Sequence, residues 1–140
     1  MLTKQVSVFV ENKKGRMEQV SKCLSDGNIN IASMILADTS EYGLLRMIVS
    51  DAPKAKEVLE AAGFSAIITK VLVVKFPNIA GTLDKLMGLF NELDLSIEYM
   101  YGISTSADSA TLVVKTSDND AAAKVISEKG AESDISVICM

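Results

Sequence analysis

The sequence predicts an α+β fold in which one strand–helix–strand–strand–helix–strand plan occurs twice. Three observations point to it. Two short stretches echo each other, Glu11-Asn-Lys-Lys-Gly15-Arg-Met17 and Pro77-Asn-Ile-Ala-Gly81-Thr-Leu83, with Asn12 and Asn78, like Gly15 and Gly81, 66 positions apart. Each stretch follows an apolar run of strand character, Val6–Val10 or Val71–Phe76, and opens an amphipathic run of helical character. The apolar spacing switches between a period of about two and one of about 3.6, in the same order in both halves.

Gln5–Val10 alternates, with Val6, Val8 and Val10 on one face and Ser7 and Phe9 on the other, so it reads as a strand. From Arg16, residues Met17, Val20, Cys23 and Leu24 form a helical stripe, in which Cys23 is a small core residue. Gly27 suits a left-handed helix end. Asn28–Asp38 is an Ile-rich second strand, Thr39–Gly43 a turn and Leu44–Ser50 a third strand. Asp51 and Pro53 mark the start of a helix whose buried stripe is Ala55, Val58, Leu59 and Ala62, with Gly63 as its stop. Ala66–Lys70 is the fourth strand and runs almost directly into Val71–Phe76, with no linker composition between the halves.

The second half repeats this order. Leu83, Leu86, Met87, Phe90 and Leu93 keep helical spacing, and Asp94-Leu-Ser96-Ile97 stands 66 positions after Asn28-Ile-Asn30-Ile31. A polar turn at Ser104–Ser109 precedes the strand Ala110–Thr116. Beyond it the offset is 67, since Asp118 follows Asp51 and Gly130 follows Gly63, which predicts one residue inserted in a loop. Ala122, Val125 and Ile126 form the last helical stripe and Ile135–Cys139 the last strand.

Composition narrows the function classes. The chain has 140 residues, 49% of them hydrophobic, enough for a substantial core. No window approaches 18 uninterrupted apolar residues, and Met1-Leu-Thr-Lys-Gln5 lacks signal-peptide character, so the expected location is the cytoplasm, with no membrane partner. Net charge is −4, which argues against nucleic acid as a partner. His is absent, removing His-containing triads and His-bearing metal sites, and two cysteines offer neither a metal quartet nor a disulfide framework. No cofactor or metal is expected.

A βαββαβ unit is the ferredoxin-like plan, a four-stranded antiparallel sheet with two helices on one face. The expected domains are residues 1–70 and 71–140. Paired side by side, their sheets would join along edge strands into eight, with four helices on one side.

The Asn-x-x-Gly turn between strand and helix, with Gly27-Asn28-Ile29-Asn30-Ile31 leading into the second strand, resembles the ACT domain, twice over and across nearly the whole chain. The resemblance implies a regulatory, non-enzymatic protein that binds a free amino acid at the interface between its two repeats. It places the ligand's amino and carboxyl groups against the loop before the first helix, with an Asn opening the neighbour's second strand. Carried over, the loop Asn is Asn12 or Asn78, the loop Gly is Gly15 or Gly81, and the strand Asn is Asn30, replaced by Ser96 in the second half. Backbone N–H groups around Lys14–Met17 and around Ala80–Leu83, with Ile79 and Thr82 in that loop, would hold the carboxylate, with charge from Arg16, Lys13 or Lys14. Met34, Tyr99, Met100 and Tyr101 lie where a ligand's side chain would point. The family often has Pro before the loop Gly; here Lys14 and Ala80 stand there. The resemblance also implies a regulated partner, such as a metabolic enzyme, or a second copy of the chain.

Two alternatives belong to other classes. A ligand-free module could dock a metabolic enzyme through its sheets, leaving each Gly turn as a tight connection only. An acylphosphatase-like hydrolase would need a catalytic Arg in a Gly-rich loop; Arg16 has no counterpart in the second half, and that loop sequence is absent.

Overall fold

The computed structural model describes residues 1–38 and 41–140. In chain order the elements are β1 (Thr3–Glu11), α1 (Arg16–Asp26), β2 (Ile31–Asp38), β3 (Tyr42–Val49), α2 (Ala52–Ala61) and β4 (Ala66–Pro77). Then follow α3 (Thr82–Glu92), β5 (Ile97–Thr105), β6 (Ser109–Thr116), α4 (Asn119–Lys129), a 3-10 turn (Gly130–Ser133) and β7 (Ser136–Ile138). Two compact units result, Lys4–Thr69 and Lys70–Met140 together with Met1–Thr3. Strand order is β2-β3-β1-β4 in the N-terminal unit and β5-β6-β4-β7 in the C-terminal unit. The strands expected at Ala66–Lys70 and Val71–Phe76 form the single strand β4, because no turn residue interrupts Thr69-Lys70-Val71. The plan is βαββαβ twice, with antiparallel pairing of β1 with β3 and β2 with β3, and of β4 with β6 and β7 and β5 with β6.

Each unit closes its own helix-facing core. Val6, Val8 and Val10 of β1 and Leu45 and Met47 of β3 pack with Val20 and Leu24 of α1 and Ala55 and Leu59 of α2. Because both helices share that cluster, both lie on one face of the sheet. Leu72, Val74 and Phe76 of β4 meet Leu86 and Phe90 of α3 and Ala122, Val125 and Ile126 of α4 in the same way. Ala62, Leu83 and Leu93 belong to the expected stripes but are exposed, being at helix ends beyond the reach of these cores.

The two Asp-led helices are capped by their own side chains. Asp51 accepts from the Lys54 N–H at 3.1 Å and Asp118 from the Ala121 N–H at 3.0 Å. Asp118→Ala should therefore lower stability by about 1 kcal/mol. The check is a lower urea midpoint with an unchanged slope.

Four local expectations are corrected. Gly27 is not left-handed (φ −80°); Asn28 (φ 55°) takes that conformation, as Asp94 (φ 53°) does 66 positions later. Short polar side chains tolerate it through local hydrogen bonding. What Gly27 supplies is room, since a Cβ there would stand 3.3 Å from the Ile29 Cδ1 atom and 3.4 Å from Val58 Cγ1. The second strand accordingly starts at Ile31. The residue inserted in the second repeat is also not in a loop. Leu36 pairs with Leu45 and Ala37 with Leu44, whereas Gly102 pairs with Leu112 and Ser104 with Thr111, leaving Ile103 as a β-bulge within β5. The polar turn accordingly spans only 106–108. In the first repeat the matching turn was expected at Thr39–Gly43; Thr39 and Ser40 lie outside the described residues.

Candidate functional site

The echoed stretches fold alike, hydrogen bond for hydrogen bond. In the N-terminal unit Asn12 N–H donates to the Glu41 carbonyl (3.1 Å), Lys13 N–H to Glu11 (2.7 Å), Arg16 N–H to Lys13 (3.2 Å) and Gln19 N–H to Gly15 (3.1 Å). In the C-terminal unit Asn78 donates to Asp108 (3.1 Å), Ile79 to Pro77 (2.9 Å), Thr82 to Ile79 (3.2 Å) and Lys85 to Gly81 (3.1 Å). Gly15 (φ 86°, ψ −10°) and Gly81 (φ 96°, ψ −16°) are left-handed and stand at the N-caps of α1 and α3. Neither helix has a side-chain cap, in contrast to α2 and α4. The N–H groups of Lys14, Gly15 and Met17, and of Ala80, Gly81 and Leu83, donate to no acceptor among the described residues. Each loop thus presents backbone donors at the positive end of a helix, a geometry suited to a carboxylate.

Side chains differ more than the backbone. Asn78 donates its amide nitrogen to the Ser106 carbonyl at 2.7 Å, which leaves the amide oxygen to accept from an ammonium. Asn12 is exposed and has no side-chain partner among the described residues. Ile79, Ala80 and Lys14 are exposed, while Thr82 is buried and Met17 half-buried against the core, so these last two offer only their backbone. The basic cluster is largely neutralised. Glu11 lies 3.1 Å from the Lys13 ammonium and 3.6 Å from the Arg16 guanidinium, which also donates to Gln19 at 3.0 Å.

The hydrogen-bonded Lys13 ammonium, its charge and that of Arg16 hold the Glu11 carboxyl below its ordinary 4.5. A depressed carboxyl contributes stability that is present above its unfolded pKa and lost as pH falls through the folded one. The stability difference between the native chain and Glu11→Gln should therefore be constant above pH 4.5 and shrink below it, as read by urea unfolding across pH 3–7.

The strand-opening residues are also matched. Asn30 N–H donates to the Ser50 hydroxyl (2.9 Å) and its carbonyl accepts from Ser50 N–H (2.9 Å); Ser96 does the same with Ser117 at 3.1 and 3.0 Å. Both side chains are exposed. Within its own unit Asn30 is at the far end of α1 from Gly15, roughly 16 Å along the helix axis. The unit therefore does not bring Asn30 to its own Asn12 loop, and the same holds for Ser96 and the Asn78 loop. Beside the first loop is a hollow of 110 Å³ lined by Val10, Asn12, Lys13, Met17, Leu36 and Gly43. It is well below the roughly 300 Å³ at which pockets enclose a ligand. It can take the polar end of a small molecule. Tyr101 is buried, whereas Met34 and Met100 are exposed on β2 and β5.

A second pocket, of 210 Å³, includes Phe9, Glu11, Arg16, Tyr42 and Phe64. Its aromatic residues were not legible as site residues, because they come from three distant parts of the chain. The signal was there in the exposed face of the first strand, which carries Phe9.

Residues 1–135 match the family model described as the ACT domain pair. The chain is 35% identical to protein BT0572 from Bacteroides thetaiotaomicron, covering 99% of this chain and 92% of that one, with a TM-score of 0.90. The ligand-free regulatory subunit of aspartate kinase from Thermus thermophilus has a TM-score of 0.64 at 17% identity, covering 89% of this chain and 91% of that one. For the corresponding subunit from Thermus flavus the values are 0.62 and 18%, over 89% and 90%. These two show a shared fold. No curated protein matches the sequence. No helix among the described residues is long and apolar enough to cross a membrane. With the duplicated βαββαβ plan and both Gly turns in place, the chain belongs to the ACT domain pair family.

Proposed function

We propose that this chain is a cytoplasmic regulatory sensor that binds a free amino acid and has no catalytic activity of its own. Its two domains, residues 1–70 and 71–140, each contribute one loop to binding. The observation that carries this reading is the matched pair of uncapped, Gly-led helix starts, where the N–H groups of Lys14, Gly15 and Met17 and of Ala80, Gly81 and Leu83 have no acceptor among the described residues. The ligand carboxylate takes the N–H groups of Lys14, Gly15 and Met17, or of Ala80, Gly81 and Leu83. The ammonium takes the amide oxygen of Asn12 or Asn78. A neighbouring ACT unit completes the grip through Asn30 or Ser96, since neither reaches the loop of its own unit. Asn30 reaches further than Ser96, so the two sites differ in strength. Regulation follows if the ligand favours one of two arrangements of the protein.

A thermal-shift screen against the twenty amino acids tests this. A ligand at about a hundred times its dissociation constant adds roughly 2.7 kcal/mol, a rise of several degrees for a chain of this size. No shift with any of them at millimolar concentration would contradict the proposal.

One observation favours a docking role beside the sensor. β2 ends the strand order of its unit, and Met34, Ile35 and Leu36 on it are exposed in succession. An apolar edge of that kind suits a strand from a protein partner. A second copy of the chain or a metabolic enzyme fits this role, and sedimentation of Leu36→Lys against the native chain reads it.

A further inference from the structure

We infer that the pocket of Phe9, Glu11, Arg16, Tyr42 and Phe64 makes the first repeat selective for an amino acid with an aromatic side chain, an inference that rests on the amino-acid reading above. The pocket has a volume of 210 Å³, also below the roughly 300 Å³ that encloses a whole ligand, so it takes the ring and leaves the polar end to the loop. It gathers three of the chain's seven Phe and Tyr residues. Phe9 (53% exposed) and Tyr42 (52%) are the aromatic side chains most open to water among the described residues, and both border this one pocket. Rings held that way offer flat apolar faces against which another ring stacks.

The charged pair supplies the other half of the recognition. Arg16 uses its Nη1 toward Gln19 at 3.0 Å and its Nη2 toward Glu11 at 3.6 Å. A guanidinium has five N–H donors, so it keeps capacity for a carboxylate. Glu11 accepts from Lys13 and has lone pairs left for an ammonium. Arg16 and Glu11 thus add charge beside the loop N–H groups and Asn12 that hold the two ends of the zwitterion, and the rings receive its side chain.

The second repeat is an internal control. At the places of Phe9, Glu11, Arg16 and Tyr42 it has Lys75, Pro77, Thr82 and Ser109, and after its 3-10 turn Ile135 stands where Phe64 does, so neither the charge pair nor any ring is kept. The strand register confirms the match at two of these, since Glu11 pairs with Tyr42 as Pro77 pairs with Ser109. The backbone of the two loops is preserved while this pocket is not. The aromatic selectivity therefore belongs to the first repeat alone.

Titration calorimetry of the full chain with L-phenylalanine, L-leucine and phenethylamine tests this. The expected result is one tight L-phenylalanine site per chain, with leucine (no ring) and phenethylamine (no carboxylate) at least tenfold weaker. Phe9→Lys and Tyr42→Ser, which install the second repeat's residues, should each weaken L-phenylalanine at least tenfold while the circular dichroism of the folded chain is kept. Phe9→Leu, which keeps apolar bulk without the ring, should weaken it as well. Two equal sites per chain, or affinity indifferent to all three variants, would overturn the inference. If L-phenylalanine fails while another amino acid binds and is lost in Gly81→Val or Asn12→Ala, the inference falls and the sensor reading stands. If none of the twenty binds, both fall. A change in sedimentation of Phe9→Lys without any amino-acid binding would reassign the exposed rings to a protein contact and overturn it too.

Discussion

Gly81→Val is expected to cost about 2 kcal/mol of stability and to weaken amino-acid binding at the second loop about a hundredfold. Gly81 is left-handed at φ 96°, where a β-branched side chain is strained. A Cβ there meets nothing within 4 Å, so the Cβ itself adds backbone strain and no packing clash. A chain that relieves the strain rotates the peptides on either side of residue 81 and turns their N–H groups away from the ligand. Losing two hydrogen bonds to a carboxylate, at about 1.5 kcal/mol each, corresponds to roughly a hundredfold in affinity. Gly81→Asn separates the effects, since Asn accepts the left-handed conformation and should keep most of the binding. Calorimetry and urea unfolding of both variants read the two quantities. Undiminished binding in Gly81→Val would place the ligand elsewhere.

Phe90→Ala should have the larger effect on stability, about 3–5 kcal/mol. Phe90 is 1% exposed and lies in the cluster formed by Leu72, Val74, Leu86 and Ile126, so its removal leaves a cavity that the sheet cannot close. That is a large share of the 5–15 kcal/mol of a typical domain. Phe9→Ala, with the same change at a residue 53% exposed, should stay within about 0.5 kcal/mol, as surface substitutions do. Urea unfolding followed by circular dichroism distinguishes them.

The duplicated plan was legible because its signals are local: two periods of apolar residues, and Gly at fixed offsets. Where the matched residues serve different ends, sequence alone could not say so. Gly63 and Gly130 match by their offset in the sequence, yet Gly63 is there for its φ of 92°, a left-handed conformation that Asp134 (φ 54°) takes in the second repeat. Gly130 has φ −69°, open to any residue, but a Cβ would collide with the Ile135 carbonyl oxygen. The first is a conformational requirement and the second a spatial one, created by the 3-10 turn that only the second repeat has. Ile103 likewise reads as a loop insertion from the change of offset, because a bulge leaves no residue signature of its own; only the pairing register reveals it. The backbone geometry of the candidate site followed from the Asn-x-x-Gly spacing. The ring-lined pocket did not, since Phe9, Tyr42 and Phe64 converge only through the antiparallel pairing of β1 with β3 and the turn that leads into β4. Lys13 and Arg16 read as free charges at the loop, but Glu11, one residue outside the Asn-x-x-Gly motif, holds both.

The most direct measurement is an amide NMR titration of the full chain with whichever amino acid raises its unfolding temperature. Binding as proposed should shift the amide resonances of Lys14, Gly15 and Met17, or of Ala80, Gly81 and Leu83, saturably and at one common dissociation constant, with Asn30 or Ser96 following. Saturable shifts elsewhere, with these six amides unmoved, would contradict the assignment of the Gly-led loops as the ligand site.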